Sequence, residues 1–198
     1  MRVEVMAKLS FEYWRQSVLR LSAVFENEKD RLCGLDGAIG DGDHGTSMAL
    51  GFSEAAKRLS ESDTSDVGAV LRATGNAFVS SVGGVTGIVF GTLFISAGKA
   101  VEGKTELDSN DLAAMFSSAL KAVKARGKVQ EQDKSMVDAL SPAVSVLREA
   151  AEEDLSPDKA LILAHKAAEE GMEATRRLAA KVGRARYQKE KALLHFGG

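Results

Sequence analysis

At 198 residues with 44% hydrophobic composition, the chain is long enough to bury one core and is close to the size at which one domain is the default expectation. Its 26 basic and 28 acidic residues leave a formal charge of -2, and no basic run supplies the electrostatic footprint of a nucleic-acid binder, so nucleic acid is excluded as the expected partner. No apolar run reaches the roughly 18 residues of a membrane span, MRVEVMAKLS at the start lacks the apolar core of a signal peptide, and the single Cys33 has no internal disulfide partner; the expected setting is the cytoplasm, with no membrane.

With prolines only at 142 and 157 and few β-branched runs, the pattern reads as helical almost throughout. Phe11, Trp14, Val18, Leu21 and Phe25 recur at steps of three and four, which predicts a first helix of about five turns. A second is predicted from near Thr46, with Met48, Phe52, Ala55, Ala56 and Leu59 on one face. A third follows Ser65 as its cap and carries Val67, Val70, Leu71, Thr74 and Phe78. The fourth follows the glycine-rich VGGVTG and runs to about Val101, although Ile88, Val89, Phe90 and Phe94 fit a strand as well.

Ser109 is the expected cap of the fifth helix, Leu112, Met115, Phe116, Ala119, Leu120 and Val123 its inner face, and Gly127 its stop. Asp133 is the expected cap of the sixth, which buries Met136, Leu140, Val144, Leu147 and Ala151 and bends at Pro142. Ser156 and Pro157 open the seventh, whose stripe of Leu161, Ala164, Ala168, Met172, Thr175 and Val182 ends at Gly183. An eighth, shorter helix is predicted from Arg184 to about His195. Short connections favour antiparallel neighbours, so the expected fold class is all-α: an eight-helix antiparallel up-and-down bundle, one domain over residues 1–198.

The segment richest in chemistry is LDGAIGDGDHGTSM, residues 35 to 48. Asp36, Asp41 and Asp43 fall close together, and neighbouring carboxylates repel unless a cation or proton intervenes. Clustered hard oxygen ligands suit magnesium, which shares its remaining positions with water and substrate phosphates. His44, Gly45, Thr46 and Ser47 then enter a helix whose first N–H groups favour an anion. An isolated Gly-Asp-Gly is more often a solvated turn; three aspartates followed by a helix start weigh against that. An EF-hand is a poor fit, since the twelfth position from Asp41 is Phe52, and no Gly-Lys-Ser/Thr marks a P-loop.

Two further segments are ambiguous by themselves. In SSVGGVTGIVFGTLF, from Ser80 to Phe94, Gly83, Gly84, Thr86 and Gly87 could present backbone donors to an anion, or could simply let two helices approach. In DKSMVDAL, from Asp133 to Leu140, Lys134 and Ser135 at a helix start would welcome a phosphate and Met136 would wall a flat ring, or the segment is a capped helix with Met136 in the core.

Together GLDGAIGDGDHG (34 to 45), GGVTGIVFGTLF (83 to 94), RGKVQEQDKSMVDALSP (126 to 142) and VGRARY (182 to 187) resemble the DhaL family, the nucleotide-binding subunits of dihydroxyacetone kinases. The resemblance implies a bundle closed into a barrel, with two magnesium ions and ADP or ATP at one end. It implies Asp36, Asp41 and Asp43 as metal ligands, and His44, Gly45, Thr46, Ser47, Val85, Thr86, Gly127, Met136 and Arg184 along the nucleotide. It further implies a phosphotransferase subunit that passes a phosphoryl group to a small ketose, dihydroxyacetone or one such as erythrulose, held on a separate DhaK-like subunit. In one branch a DhaM-like phosphocarrier recharges bound ADP. No catalytic acid or base is expected from this chain. The family pattern carries asparagine where Ser47 stands and often serine where Thr86 stands, and its closing Asp-Pro-Gly is not found after YQKEKALLHFGG, which bears on nucleotide affinity. A non-catalytic nucleotide-sensing module and a fatty-acid-kinase-like domain are the alternatives.

Overall fold

The computed structural model describes residues 8–193, 195 and 196. Two-residue strands β1 (Leu9–Ser10) and β2 (Glu106–Leu107) pair antiparallel, Leu9 opposite Leu107. Seven α-helices carry the rest: α1 Phe11–Gly37, α2 His44–Ser60, α3 Val67–Ser81, α4 Gly84–Ala100, α5 Ser109–Gly127, α6 Val137–Glu152 and α7 Pro157–Ala174. Each packs chiefly on its neighbours in the chain. No helix among the described residues is long and apolar enough to cross a membrane.

Glycine spacing shows how the helices run. A Cβ added to Gly68 would lie 2.6 Å from the Gly98 carbonyl oxygen, and one added to Gly75 would lie 2.7 Å from that of Gly91. As residue numbers rise along α3 they fall along α4, so the pair is antiparallel and its backbones touch. Gly91 and Gly98 therefore serve close packing, and the segment that fitted a strand is helical. Gly171 of α7 likewise presses on α6, where an added Cβ would lie 2.3 Å from the Asp138 carbonyl. Pro142, inside α6, has no N–H to offer that carbonyl, which explains why the partner helix can come so near.

The core has two parts. One joins Val18, Met48, Phe52, Phe78 and Val82, with Phe25, Phe90 and Phe94 around them; Phe25 stacks on Phe52 at 4.6 Å, and Phe52 meets Phe78 edge-on at 5.1 Å. The other joins Val67, Leu71, Leu107, Leu112, Met115 and Leu147, with Phe11 and Trp14 against it. Burial of one such large side chain contributes about 1.5–3 kcal/mol, so these clusters hold the helices in order.

Several boundaries differ from expectation. α1 runs for 27 residues, past its apolar stripe, so that Asp36 lies in its last turn rather than in a loop. α2 starts at His44, two residues before Thr46. The caps of α3 and α5 are Asp66 and Asp108, each accepting from a backbone N–H three residues on, rather than Ser65 and Ser109; Asp108 also forms a reciprocal capping box with Asp111. Asp133 does not cap α6, which begins four residues later, after Lys128, Gln132 and Lys134 have all taken left-handed backbone. α7 ends at Ala174, because the Thr175 hydroxyl takes the Met172 carbonyl and the chain passes through a 3-10 turn at Thr175–Arg177. The predicted eighth helix is two 3-10 turns, Arg184–Tyr187 and Lys189–Ala192. The count is therefore seven helices, and the described residues show no closed barrel.

Candidate metal centre

Up-and-down order sorts the connections between two ends of the bundle. The end of α1 with the start of α2, the end of α3 with the start of α4, and the end of α5 with the start of α6 fall at one end, as does the chain beyond α7. This gathers the three segments singled out in the sequence, and Arg184, on one face.

The aspartates form its centre. One carboxylate oxygen each from Asp36, Asp41 and Asp43 lies within 4.8 Å of the others, Asp36 half-buried and the other two exposed. Asp36 is held by the backbone: its Oδ2 accepts from the Asp43 N–H at 3.0 Å and the His44 N–H at 3.3 Å. It thus supplies the side-chain cap of α2 that Asp43, in the capping position, does not. Two glycines make room. Gly42 turns the chain at φ +76, and a Cβ at Gly40 would fall 2.1 Å from Asp36 Oδ1.

Charge decides what this arrangement can hold. Two unit charges 4 Å apart repel by about 1 kcal/mol in water and several times that near a protein surface. Arg184 Nη2 meets Asp41 Oδ2 at 2.7 Å and offsets one carboxylate, leaving two negative charges, the complement of a divalent cation. The donors are all hard oxygens, with the Cys33 sulfur and the His44 ring outside the set, which favours magnesium or a similar ion over zinc. Oxygens bound to one magnesium ion lie about 3–4.2 Å apart, so side-chain adjustment could bring this cluster onto an ion. The residues fit the metal.

The other expected residues are arranged around this centre. Gly45 is buried where α2 crosses α1, a Cβ there falling 2.0 Å from the Lys29 carbonyl oxygen, so packing requires glycine. Thr46 Oγ1 lies 3.6 Å from Cys33 Sγ, and the Ser47 N–H is already used by the Asp43 carbonyl. The His44 ring stands 6.2 Å from that of Phe90, tying the start of α2 to the aromatic core. Val85 is 76% exposed and Thr86 half-buried in the first turn of α4, Gly127 is the exposed last residue of α5, and Met136 immediately precedes α6, half-buried. None of these four forms a hydrogen bond or ion pair with the aspartates among the described residues; topology alone brings them to the same end.

Lys134 weighs against the phosphate alternative for its segment. It is 2% exposed, and its Nζ donates to the backbone carbonyls of Thr175 and His195, each at 2.7 Å, so it is not free to greet a phosphate. Asp133, also buried, accepts from the Gln130 N–H and pairs with Lys181. No periodicity or motif spacing signals either role, since both depend on where the chain returns some forty residues later.

Comparison with known proteins places the chain in a family. The profile of the DAK2 domain matches residues 38–196. The Escherichia coli (strain K12) PEP-dependent dihydroxyacetone kinase, ADP-binding subunit DhaL, is 39% identical over 176 residues, 89% of this chain and 84% of that one. The corresponding subunit of Listeria innocua kinase 2 is 37% identical over 89% of this chain and 82% of its own length. The dihydroxyacetone kinase of C. freundii in complex with AMP-PNP and Mg2+ superposes with a TM-score of 0.70 at 24% identity, over 98% of this chain and 35% of that much longer one. At that identity the superposition speaks for the fold. The sequence relatives, with the profile covering most of the chain, establish the family: this protein belongs to the DAK2-domain family, among its DhaL subunits.

Proposed function

We propose that this chain binds ADP or ATP with two magnesium ions and acts as the nucleotide-binding subunit of a dihydroxyacetone-type kinase. The observation that carries the reading is the convergence of three carboxylates and one guanidinium on a helix start, in a chain closely similar to subunits named as ADP-binding. Magnesium would supply neutralisation of the phosphate oxygens, the main demand of phosphoryl transfer. Asp36, Asp41 and Asp43 hold the metal. The start of α2, from His44 to Ser47, faces the phosphates; the His44 and Ser47 N–H groups are taken by Asp36 and Asp43, so the Gly45 and Thr46 N–H groups are the donors offered, with Arg184 adding a charged fork. Val85, Thr86, Gly127 and Met136 line the remainder of the nucleotide.

In this reading no group of the chain is assigned as a base for a sugar hydroxyl, which fits a subunit that contributes the nucleotide half of a shared site. The substrate is a small ketose on a DhaK-like partner. Several relatives are named as PEP-dependent and ADP-binding, which favours recharging of bound ADP by a DhaM-like phosphocarrier over exchange for free ATP. The test is reconstitution with a DhaK-like subunit and dihydroxyacetone, supplied either with ATP or with a phosphorylated phosphocarrier. Magnesium-dependent sugar phosphate in either case supports the reading, and the productive donor identifies the branch. Nucleotide binding without transfer under both conditions would instead leave a nucleotide sensor.

A further inference from the structure

We infer that Lys134 is a positioning residue that fastens the segment after α7 so that Arg184 meets Asp41, an inference that rests on the nucleotide-site reading only for its effect on affinity. The segment leaves α7 at Thr175, passes Arg184 and reaches His195. Lys134 binds both ends of it, through the carbonyls of Thr175 and His195. Its neighbour Asp133 binds the middle: the Asp133 carbonyl accepts the Lys181 N–H at 3.1 Å, and its carboxylate lies 3.3 Å from Lys181 Nζ. Three ties therefore lead from two adjacent residues to one stretch of chain. Between the second and third ties lies Arg184, 71% exposed along its side chain and 2.7 Å from Asp41.

Beyond these ties, Ala192 is buried and the Arg176 guanidinium lies 3.6 Å from the centroid of the Phe196 ring, while the stretch around Arg184 is open. From Leu178 to Gly183 it forms no helix, and Arg184, Arg186 and Tyr187 are exposed. Lys134, in contrast, is almost wholly buried, forms no ion pair with a carboxylate among the described residues, and takes a left-handed backbone at φ +61, disfavoured for any residue with a Cβ. Burial and nearby Arg176 both push its ammonium below the usual lysine range. A methionine would fill similar space without charge, so packing alone does not account for a lysine here. What the ammonium adds is charge-assisted donation to two separate carbonyls, which no apolar side chain offers.

The test uses Lys134→Met in the full chain, alone and with Arg184→Gln, read by amide hydrogen exchange and by titration with magnesium and ADP. Exchange in a peptide spanning 178–193 should rise about tenfold or more while peptides from α1 to α4 are unchanged, because the bonds the ammonium donates to the Thr175 and His195 carbonyls, on either side of that peptide, are the ones lost. ADP affinity should fall about tenfold where Arg184 is present and by much less where it is already glutamine, as coupled residues require. Unchanged exchange in 178–193, or an equal affinity loss in both backgrounds, would overturn the proposal, since a merely structural lysine weakens both alike. If the parent protein binds no ADP, the nucleotide reading fails, and the exchange result decides the fastening by itself. Should Lys134→Met not fold, Lys181→Ala removes the exposed half of the middle tie and is expected to loosen the same peptide; no change in that variant would count against the fastening.

Discussion

Asp36 and Asp41 are both proposed metal ligands, yet they should fail differently when replaced by alanine in metal-free protein. Asp36 accepts two backbone hydrogen bonds, from Asp43 and His44, and so caps α2 from the end of α1. Hydrogen bonds to charged acceptors contribute about 1.5–3 kcal/mol, and loss of a helix cap costs about 0.5–2 kcal/mol. The second bond is long and the carboxylate only half-buried, so a net loss of about 2 kcal/mol is the working figure. Asp41 has only Arg184, in an exposed pair worth about 0–1 kcal/mol, and its removal relieves repulsion within the cluster. At about 2–4 °C per kcal/mol for a domain of this size, Asp36→Ala should lower Tm by about 4–8 °C and Asp41→Ala by about 2 °C at most. Thermal unfolding followed by circular dichroism in EDTA measures both. Equal shifts, or an Asp36→Ala protein as stable as the parent, would refute the capping role and with it the claim that the backbone holds the metal cluster in place.

Three other outcomes follow from the same geometry. Gly45→Ala places a Cβ 2.0 Å from a backbone oxygen of α1, so α1 and α2 must separate, and chemical unfolding should show a loss of about 1–3 kcal/mol or more. Gly40→Ala meets the movable end of Asp36 instead, so it should spare most of the stability while weakening magnesium binding by about tenfold, as read by calorimetry. The third outcome concerns pH. The Lys124 ammonium and the Ser141 hydroxyl hold Glu131 down to about 2, so its contribution to stability is present above its unfolded value of 4.5 and is lost as pH falls from there towards 2. Because the pair is largely exposed, the effect is small and screened by salt. Glu131→Gln should flatten the parent's acid-side loss of stability between pH 5 and 3, most visibly at low ionic strength.

How much of this could be read in the sequence varied with the range of the interactions. The apolar stripes of α2, α3 and α5 were plain because the core repeats with the helical period, and the three-aspartate cluster was plain because its members lie within eight positions. The end of α1 was hidden: beyond Phe25 its half-buried positions are Glu28, Lys29, Leu32, Cys33 and Asp36, mostly polar, so no apolar stripe continues to Asp36. The caps shifted by one residue because Ser65-Asp66 and Asp108-Ser109 each offer two suitable side chains, and the aspartate won both times. The end of α7 depended on partners remote in sequence. Its stripe continued to Val182, but the Lys134 ammonium and the Thr175 hydroxyl claim the carbonyls there, and local propensity yields to them. Among the site residues, Arg184 against Asp41 is a direct contact, while Val85, Thr86, Gly127 and Met136 share only an end of the bundle.

The central claim, that these carboxylates are tolerated because divalent cations bridge them to a polyphosphate, is tested most directly by calorimetric titration of ADP with and without magnesium, on the parent chain and on Asp41→Ala. The account predicts binding that requires magnesium and disappears in the variant. Equal affinity in EDTA, or a variant that binds as the parent does, would contradict it.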